Sequence, residues 1–99
     1  MGKRDRLSDV DIQAALAGLP GWSVLNEKLH REYRFADFVH AFGFMATAAV
    51  AIEAMNHHPE WCNVWNRIEI NLTTHDAGGI TAMDIELAGK LEGFAKKLL

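Results

Sequence analysis

The chain has 99 residues, of which 49% are hydrophobic and 23% are charged. This length and balance are typical of one small globular domain, and they exclude a wholly disordered chain or a coiled coil. Ten Lys and Arg against thirteen Asp and Glu give a formal net charge of -3, so no general electrostatic attraction to nucleic acid is expected.

Cysteine content and hydropathy indicate the compartment. Cys62 is the only cysteine, so it cannot form an internal disulfide, and a reducing compartment such as the cytoplasm is expected. The basic start of the chain leads into no apolar segment, which argues against a secretory signal, and residues 1–7 are expected to be a flexible N-terminus. The most apolar window, residues 41–55, is shorter than a membrane span, so no membrane association is expected.

The first third of the chain predicts a helix and a hairpin. Ser8 precedes two acids in the manner of a helix N-cap, and apolar residues then recur at helical spacing until Pro20 stops the helix. The apolar positions are Ile12, Ala15, Leu16 and Leu19. Residues 22–26 and 29–35 predict two strands joined by a turn around residues 26–28. The buried face of the second strand is expected to hold Leu29, Tyr33 and Phe35.

A second helix is predicted from Ala36 to about His57, because apolar residues again step by three and four positions. Its buried stripe is expected to consist of Phe38, Phe42, Met45, Ala49 and Ile52. The alanine-rich centre, residues 46–51, would allow close packing on a sheet or on another subunit.

Two strands and a third helix follow. Residues 61–64 and 67–73 predict strands, and residues 65–66 could be a tight turn between them or part of one long strand; the turn is favoured. Thr81 and Asp84 have the pattern of a capping box at the start of the third helix. Its apolar positions are Ile85, Ala88, Leu91, Phe94 and Leu98. The order α-β-β-α-β-β-α predicts an α+β fold, a single two-layer domain with a four-stranded antiparallel sheet covered by three helices.

The residues best suited to chemistry lie in segment 53–65. Pro59 disfavours helical geometry at the preceding residue, so the second helix should end near His57 or His58. Glu53 would then share a helical face with His57, close to the negative end of the helix dipole. Both effects favour a protonated or hydrogen-bonded His57.

A histidine pair at a helix end is often no more than a favourable terminus. The functional interpretation gains support from Trp61, which offers a stacking surface, and from His75, which begins a glycine-containing loop after a strand. Together with His57 and His58, these residues predict a site fit for acid/base chemistry. A metal site is disfavoured, because no His-x-x-x-His or Cys-x-x-Cys spacing is present.

Other candidates have simpler structural explanations. Asp84 could serve only as a helix cap, Glu53 could be only a helix-surface acid, and Cys62 is expected to be a small buried side chain. We expect His30 and His40 to be in contact with solvent. We expect Trp22 and Trp65 to lie in the core or in an interface.

One set of residues resembles the signature of the pterin-4a-carbinolamine dehydratases: Glu53-x-x-x-His57-His58-Pro59, then Trp65, His75 and Asp84 after intervals of five, nine and eight residues. The order of helices and strands along nearly the whole chain is also similar to that family. The resemblance implies a hydro-lyase without a cofactor that converts 4a-hydroxytetrahydropterin to quinonoid dihydropterin and water. Such an enzyme takes part in tetrahydrobiopterin recycling for aromatic amino-acid hydroxylases.

The resemblance also implies roles for the residues of the signature. His57 and His75 would be the acid/base groups, and His58 would contact and orient the pterin. Glu53 would orient His57, and Asp84 would support His75 or the wall of the site. The remaining substrate-binding or supporting residues would be Trp61, which flanks the ring, with Pro59 and Thr74.

Members of this family look like homodimers or homotetramers, and the apolar second helix is compatible with such an assembly. The family is also similar to a protein that helps a homeodomain transcription factor to dimerise. The alternative function is therefore a non-enzymatic binding module that stabilises a partner's helices through the second helix.

Overall fold

The computed structural model of the chain describes residues 2–99. Its helices are α1 (Asp9–Leu16), α2 (Phe38–Met55) and α3 (Ala82–Leu98), and its strands are β1 (Ser23–Leu25), β2 (Lys28–Arg34), β3 (Glu60–Val64) and β4 (Arg67–Leu72). A single 3-10 turn, His75–Ala77, connects β4 to α3. This order confirms the predicted α-β-β-α-β-β-α arrangement.

The four strands form one antiparallel sheet in the order β1-β2-β4-β3. The two central strands are β2 and β4, and Tyr33 lies opposite Ile68 between them. The two hairpins turn on residues with positive φ, namely Asn26 at 52°, Glu27 at 65° and Trp65 at 49°. Such left-handed residues match the twist of two-residue hairpin turns. The turn favoured at residues 65–66 is therefore confirmed.

One face of the sheet is covered by helices and forms the core. Alternation along β4 and most of β2 places five inward side chains at 1% exposure or less, and these are Leu29, Tyr33, Ile68, Ile70 and Leu72. Arg31, on the same face of β2, is only partly buried. From the helical layer, α3 contributes Leu87, Ala88, Leu91 and Ala95. Because burial of each such side chain is worth about 1.5–3 kcal/mol, this layer supplies most of the driving force for folding.

A polar contact within the core connects α3 to β2. The Trp22 indole N–H donates to the Glu92 carboxylate over 3.2 Å, and the Tyr33 hydroxyl donates to the same oxygen. Burial raises the pKa of the Tyr33 hydroxyl well above its ordinary value, and the hydrogen bond to Glu92 adds to this effect. Tyr33 is therefore held as a donor, and Trp22 is a core residue as predicted.

The predicted buried stripe of α2 is wrong for Phe38, Phe42 and Ala49, whereas Ile52 is buried and Met45 is partly buried against the core. The side chains that enter the core are Ala41, Phe44, Ala48 and Ile52. Phe44 packs against the rings of Tyr33 and Phe35, whereas Phe38 and Phe42 are 48% and 56% exposed. Almost every residue of α2 is apolar, so more than one stripe satisfies the helical period, and only contact with the sheet selects between them.

The apolar part of α2 is longer than the window predicted from the sequence. The helix has 18 residues with a mean hydropathy of 1.6, so by length and composition alone it could cross a membrane. In the fold, one face of this helix packs into the core and the other is exposed.

Three side chains lie in other environments than expected. Cys62 is exposed, because Trp61 pairs with inward-facing Ile70 in the sheet and its neighbour must point outward. Trp65 is 65% exposed at the tip of its turn, so it does not lie in the core, and its other expected place, an interface, stays a prediction. His30 is half-buried on β2 and its Nδ1 lies 2.9 Å from the side-chain oxygen of Asn71.

Candidate functional site

The end of α2 determines where the histidine pair points. The helix ends at Met55, and Asn56 follows in the left-handed conformation with a φ of 51°. Because this residue reverses the chain direction, His57 lies outside the helix and does not share a face with Glu53. The predicted contact between Glu53 and His57 is therefore wrong. Glu53 instead accepts a hydrogen bond from His58, at 3.0 Å from its Nε2.

His57 is held by a buried carboxylate from the start of α3. Its Nε2 lies 2.6 Å from Asp84 Oδ1, and the two residues are 7% and 0% exposed. The other oxygen, Oδ2, accepts from the Thr74 hydroxyl over 2.9 Å and from the Thr81 backbone N–H over 2.8 Å. Asp84 therefore caps α3 and holds His57 at the same time. It forms no hydrogen bond or ion pair with His75, so of its two expected roles only support of the site wall fits this geometry.

His75 begins the 3-10 turn after β4 and reaches a different carboxylate. Its Nε2 lies 3.2 Å from Glu60 Oε2, and its side chain is 77% exposed. Lys28 lies 2.5 Å from the second oxygen of Glu60. The hydrogen bond from Lys28 holds the pKa of the Glu60 carboxyl below its ordinary value, and the charges of Lys28 and His75 act in the same direction. Glu60 therefore stays ionised beside His75.

The three histidines surround one cavity of about 240 Å³. It is lined by side chains from the N-terminal segment, the α2–β3 connection and the segment after β4: Arg4, Asn56, His57, His58, Thr73, Thr74, His75 and Asp76. The structure thus brings together four of the residues predicted for the site, the histidines and Thr74.

The other predicted site residues lie behind or beside the cavity. Asp84 stands behind His57, Glu53 reaches the cavity through His58, and Pro59 lies in the connection before β3. Trp61 is half-buried against Phe44, with ring centroids 6.4 Å apart. Trp61 is not among the residues that line the cavity, and its expected contact with a bound ring stays a prediction.

Sequence reasoning missed several residues of this site. Asn56 could have been found, because an asparagine before a proline-containing segment is typical of a left-handed helix end. Glu60 adjoins the His-His-Pro motif, but its pairing with His75 and Lys28 depends on three separate strand ends meeting. Arg4 comes from the opposite end of the chain, and no pattern connects it with the histidines.

Three carboxylates near the cavity are each paired with a histidine and are not grouped around a common point. The pairs are His57 with Asp84, His58 with Glu53, and His75 with Glu60. Among residues 2–99, no group of three or more His, Cys, Asp or Glu side chains is arranged to hold a metal ion. The arrangement is one of separate imidazole–carboxylate pairs that face a shared cavity, which suits the transfer of protons.

Comparison with known proteins identifies the family. Residues 5–94 match the family model described as pterin 4 alpha carbinolamine dehydratase. A protein of Solibacter usitatus, provisionally named a pterin-4-alpha-carbinolamine dehydratase, is 64% identical over 90 residues, which cover 91% of this chain and 95% of that one. A protein of the same provisional name from Rhizobium leguminosarum bv. trifolii is 47% identical over 98 residues, 96% of each chain.

A solved structure is also similar. The crystal structure described as a transcriptional coactivator/pterin dehydratase from Brucella melitensis matches with a TM-score of 0.89 and 42% sequence identity, over 92% of this chain and 99% of that one. The fold, the histidine-lined cavity and these matches lead to one conclusion: the chain belongs to the pterin 4 alpha carbinolamine dehydratase family.

Proposed function

We propose that this protein is a hydro-lyase that converts 4a-hydroxytetrahydropterin to quinonoid dihydropterin and water. The observation that carries the proposal is the position of His57, His58 and His75 around one cavity, each beside a carboxylate. The family model and the names of the relatives support the substrate class and the reaction. The physiological setting would be tetrahydrobiopterin recycling for an aromatic amino-acid hydroxylase.

The reaction requires two proton transfers. The hydroxyl group on the bridgehead carbon leaves with the electron pair of its C–O bond and takes up a proton to become water. The neighbouring ring nitrogen loses its proton, and that electron pair forms the new C=N bond. Nothing is oxidised or reduced overall, so an acid and a base suffice. Imidazole groups can fill both roles near pH 7, and each well-positioned transfer is worth on the order of 10²–10⁴ in rate.

His57 is suited to act as the base. A carboxylate can only accept hydrogen bonds, so the neutral imidazole directs its Nε2–H to Asp84 and keeps Nδ1 free to accept a proton. Asp84 then stabilises the imidazolium that forms. His75 is suited to act as the acid, because it lines the cavity and its Nε2 lies 3.2 Å from the Glu60 carboxylate. His58, in the cavity and paired with Glu53, would contact and orient the pterin.

Freshly prepared 4a-hydroxytetrahydropterin tests this function directly. Its dehydration changes the ultraviolet absorbance and also occurs spontaneously. A trace of the protein should accelerate the change in proportion to its concentration. The control is the same amount of heat-denatured protein. A rate equal to the spontaneous one at every protein concentration would contradict the proposal.

The outward face of α2 supports a proposal about assembly. Its exposed apolar side chains are Phe38, Val39, Phe42 and Val50, which are 48–74% exposed. A contiguous apolar patch on a helix is typical of protein–protein interfaces. We infer that the protein is a homodimer or homotetramer that buries this face.

Light scattering tests the assembly by measuring the mass of the particle in solution. The variants Phe42→Glu and Val64→Glu show whether the α2 surface or the β3 surface forms the interface. Phe42 is 56% exposed on α2, and Val64 is 58% exposed on β3. We expect a multiple of the 11.0 kDa chain mass for the wild type and for Val64→Glu, and a smaller mass for Phe42→Glu. A wild-type mass equal to one chain would contradict this. A monomer that also lacks dehydratase activity would favour the alternative function, a module that binds a partner's helices through α2.

A further inference from the structure

Arg4 brings a permanent positive charge to the rim of the histidine-lined cavity. We propose that Arg4 binds an anionic group, a phosphate or carboxylate, on the side chain of the pterin, so that the protein favours anionic pterins over neutral ones. This inference rests on the proposed function, because it assumes that a pterin occupies the cavity.

The position of Arg4 follows from the way residues 2–7, the N-terminal arm, attach to α3. The Lys3 carbonyl accepts from the Met83 backbone N–H over 3.3 Å, and the Leu7 N–H donates to the Ile80 carbonyl over 2.8 Å. These contacts lie on either side of Arg4 and attach the arm to Ile80, just before α3, and to Met83 in its first turn, beside the buried Asp84. The backbone of the arm is therefore held beside the cavity at two points, and Arg4 lies between them.

The three basic residues of the arm have different surroundings. Lys3 pairs with Glu86 over 3.1 Å. Arg6 lies over Gly79, where an added Cβ atom would come within 2.9 Å of its Nε. Arg4 lines the cavity, and within residues 2–99 it forms no ion pair with a carboxylate. Arg4 is thus the basic residue of the arm whose charge is available to a bound molecule.

Among residues 2–99, none of the acids near the cavity forms an ion pair with Arg4. Asp84, Glu53 and Glu60 are each paired with a histidine. Asp76 also lines the cavity, but it belongs to the 3-10 turn that carries His75. A carboxylate there can accept hydrogen bonds from the N–H groups at the edge of a pterin ring. The ring itself offers Arg4 no anion, so the fitting partner is a negative group on the ring's side chain.

The chemistry of the guanidinium indicates the kind of group. Arginine stays charged at all relevant pH values and presents parallel N–H donors that match two oxygens of a phosphate or carboxylate. Because Arg4 is exposed, the gain is limited by solvent and by salt. An advantage of about fivefold in affinity is expected for an anionic pterin at low ionic strength.

The test measures binding and not turnover. The probes are neopterin and its phosphate monoester, two fluorescent pterins that differ only in the phosphate, titrated with the full-length protein at low and high salt. The wild type should bind the ester about fivefold more tightly, and added salt should reduce the difference. In Arg4→Gln the two dissociation constants should become nearly equal. Lys3→Gln, which removes the same charge from the same arm, should keep the wild-type ratio.

Several outcomes would overturn the inference. The first is that the wild type binds the two pterins with equal affinity, and the second is that Arg4→Gln keeps the wild-type ratio of dissociation constants. The third is that Lys3→Gln loses this ratio as Arg4→Gln does, which would indicate an effect of overall charge and not of a specific site. Displacement of the ester by equimolar inorganic phosphate would likewise show a free-anion site. Because the probes undergo no dehydration, the expected ratios would support Arg4 even if the dehydratase assay failed, and the reverse also holds.

Discussion

Replacing His57 with alanine is expected to lower dehydratase turnover by about 10²–10⁴-fold, the usual contribution of one positioned proton transfer. The imidazole is buried and its Nε2 is fixed by Asp84, so the replacement removes a base that is held in one position beside the cavity. The measurement is the initial rate of ultraviolet change with freshly prepared 4a-hydroxytetrahydropterin, corrected for the spontaneous reaction.

His40→Ala provides the matched control. His40 is an exposed histidine that also pairs with an aspartate, Asp37, but it lies at the start of α2 and does not line the cavity. Its removal should leave turnover within twofold of the wild type, an estimate that rests on its distance from the chemistry. Circular dichroism of each variant shows whether the fold is kept. Wild-type turnover in a folded His57→Ala protein would remove His57 from the mechanism.

Replacing Asp84 with alanine is expected to lower the free energy of unfolding by about 2–4 kcal/mol. About 1 kcal/mol comes from the lost cap of α3, and the rest comes from leaving the His57 N–H buried without its acceptor and from losing the hydrogen bond that Thr74 donates to Asp84. For a domain of this size the melting temperature should fall by roughly 10–30 °C. Turnover should fall as well, because His57 loses the group that sets its tautomer.

Asp11→Ala is the control for this variant. Asp11 occupies the third position of α1, as Asp84 does in α3, but it is exposed and its side chain has no buried partner. Its replacement should cost less than about 1 kcal/mol, measured by the same thermal and urea unfolding. Equal losses in the two variants would mean that Asp84 acts as a helix cap alone and that its contact with His57 contributes nothing to stability.

The sequence predicts the fold well where one physical signal dominates. Alternation in β2 and β4 and the capping pair Thr81 and Asp84 each have one interpretation, and the structure agrees with them. The sequence does not determine which face of α2 is buried, because the helix has apolar residues on all sides. Packing of Phe44 against Tyr33 and Phe35 determines that face. Contact with a distant element is not visible in a local pattern.

The sequence predicts which histidines belong to the site better than it predicts which side chains contact one another there. The three histidines were identified, and they do share a cavity. Their carboxylate partners were not, since the spacing of Glu53 and His57 suggested a helical pair that the left-handed Asn56 prevents. One backbone angle thus changes which acid meets which histidine, and residue spacing carries no information about that angle.

Asn56 also makes the position of the histidines independent of the side chains on the outward face of α2. The direction in which the chain leaves α2 depends on the conformation of this one residue and not on the composition of the helix before it. The outward side chains of α2 can therefore be exchanged without moving the histidines. The surface of α2 could thus be redesigned for a new partner while the histidine-lined cavity keeps its arrangement.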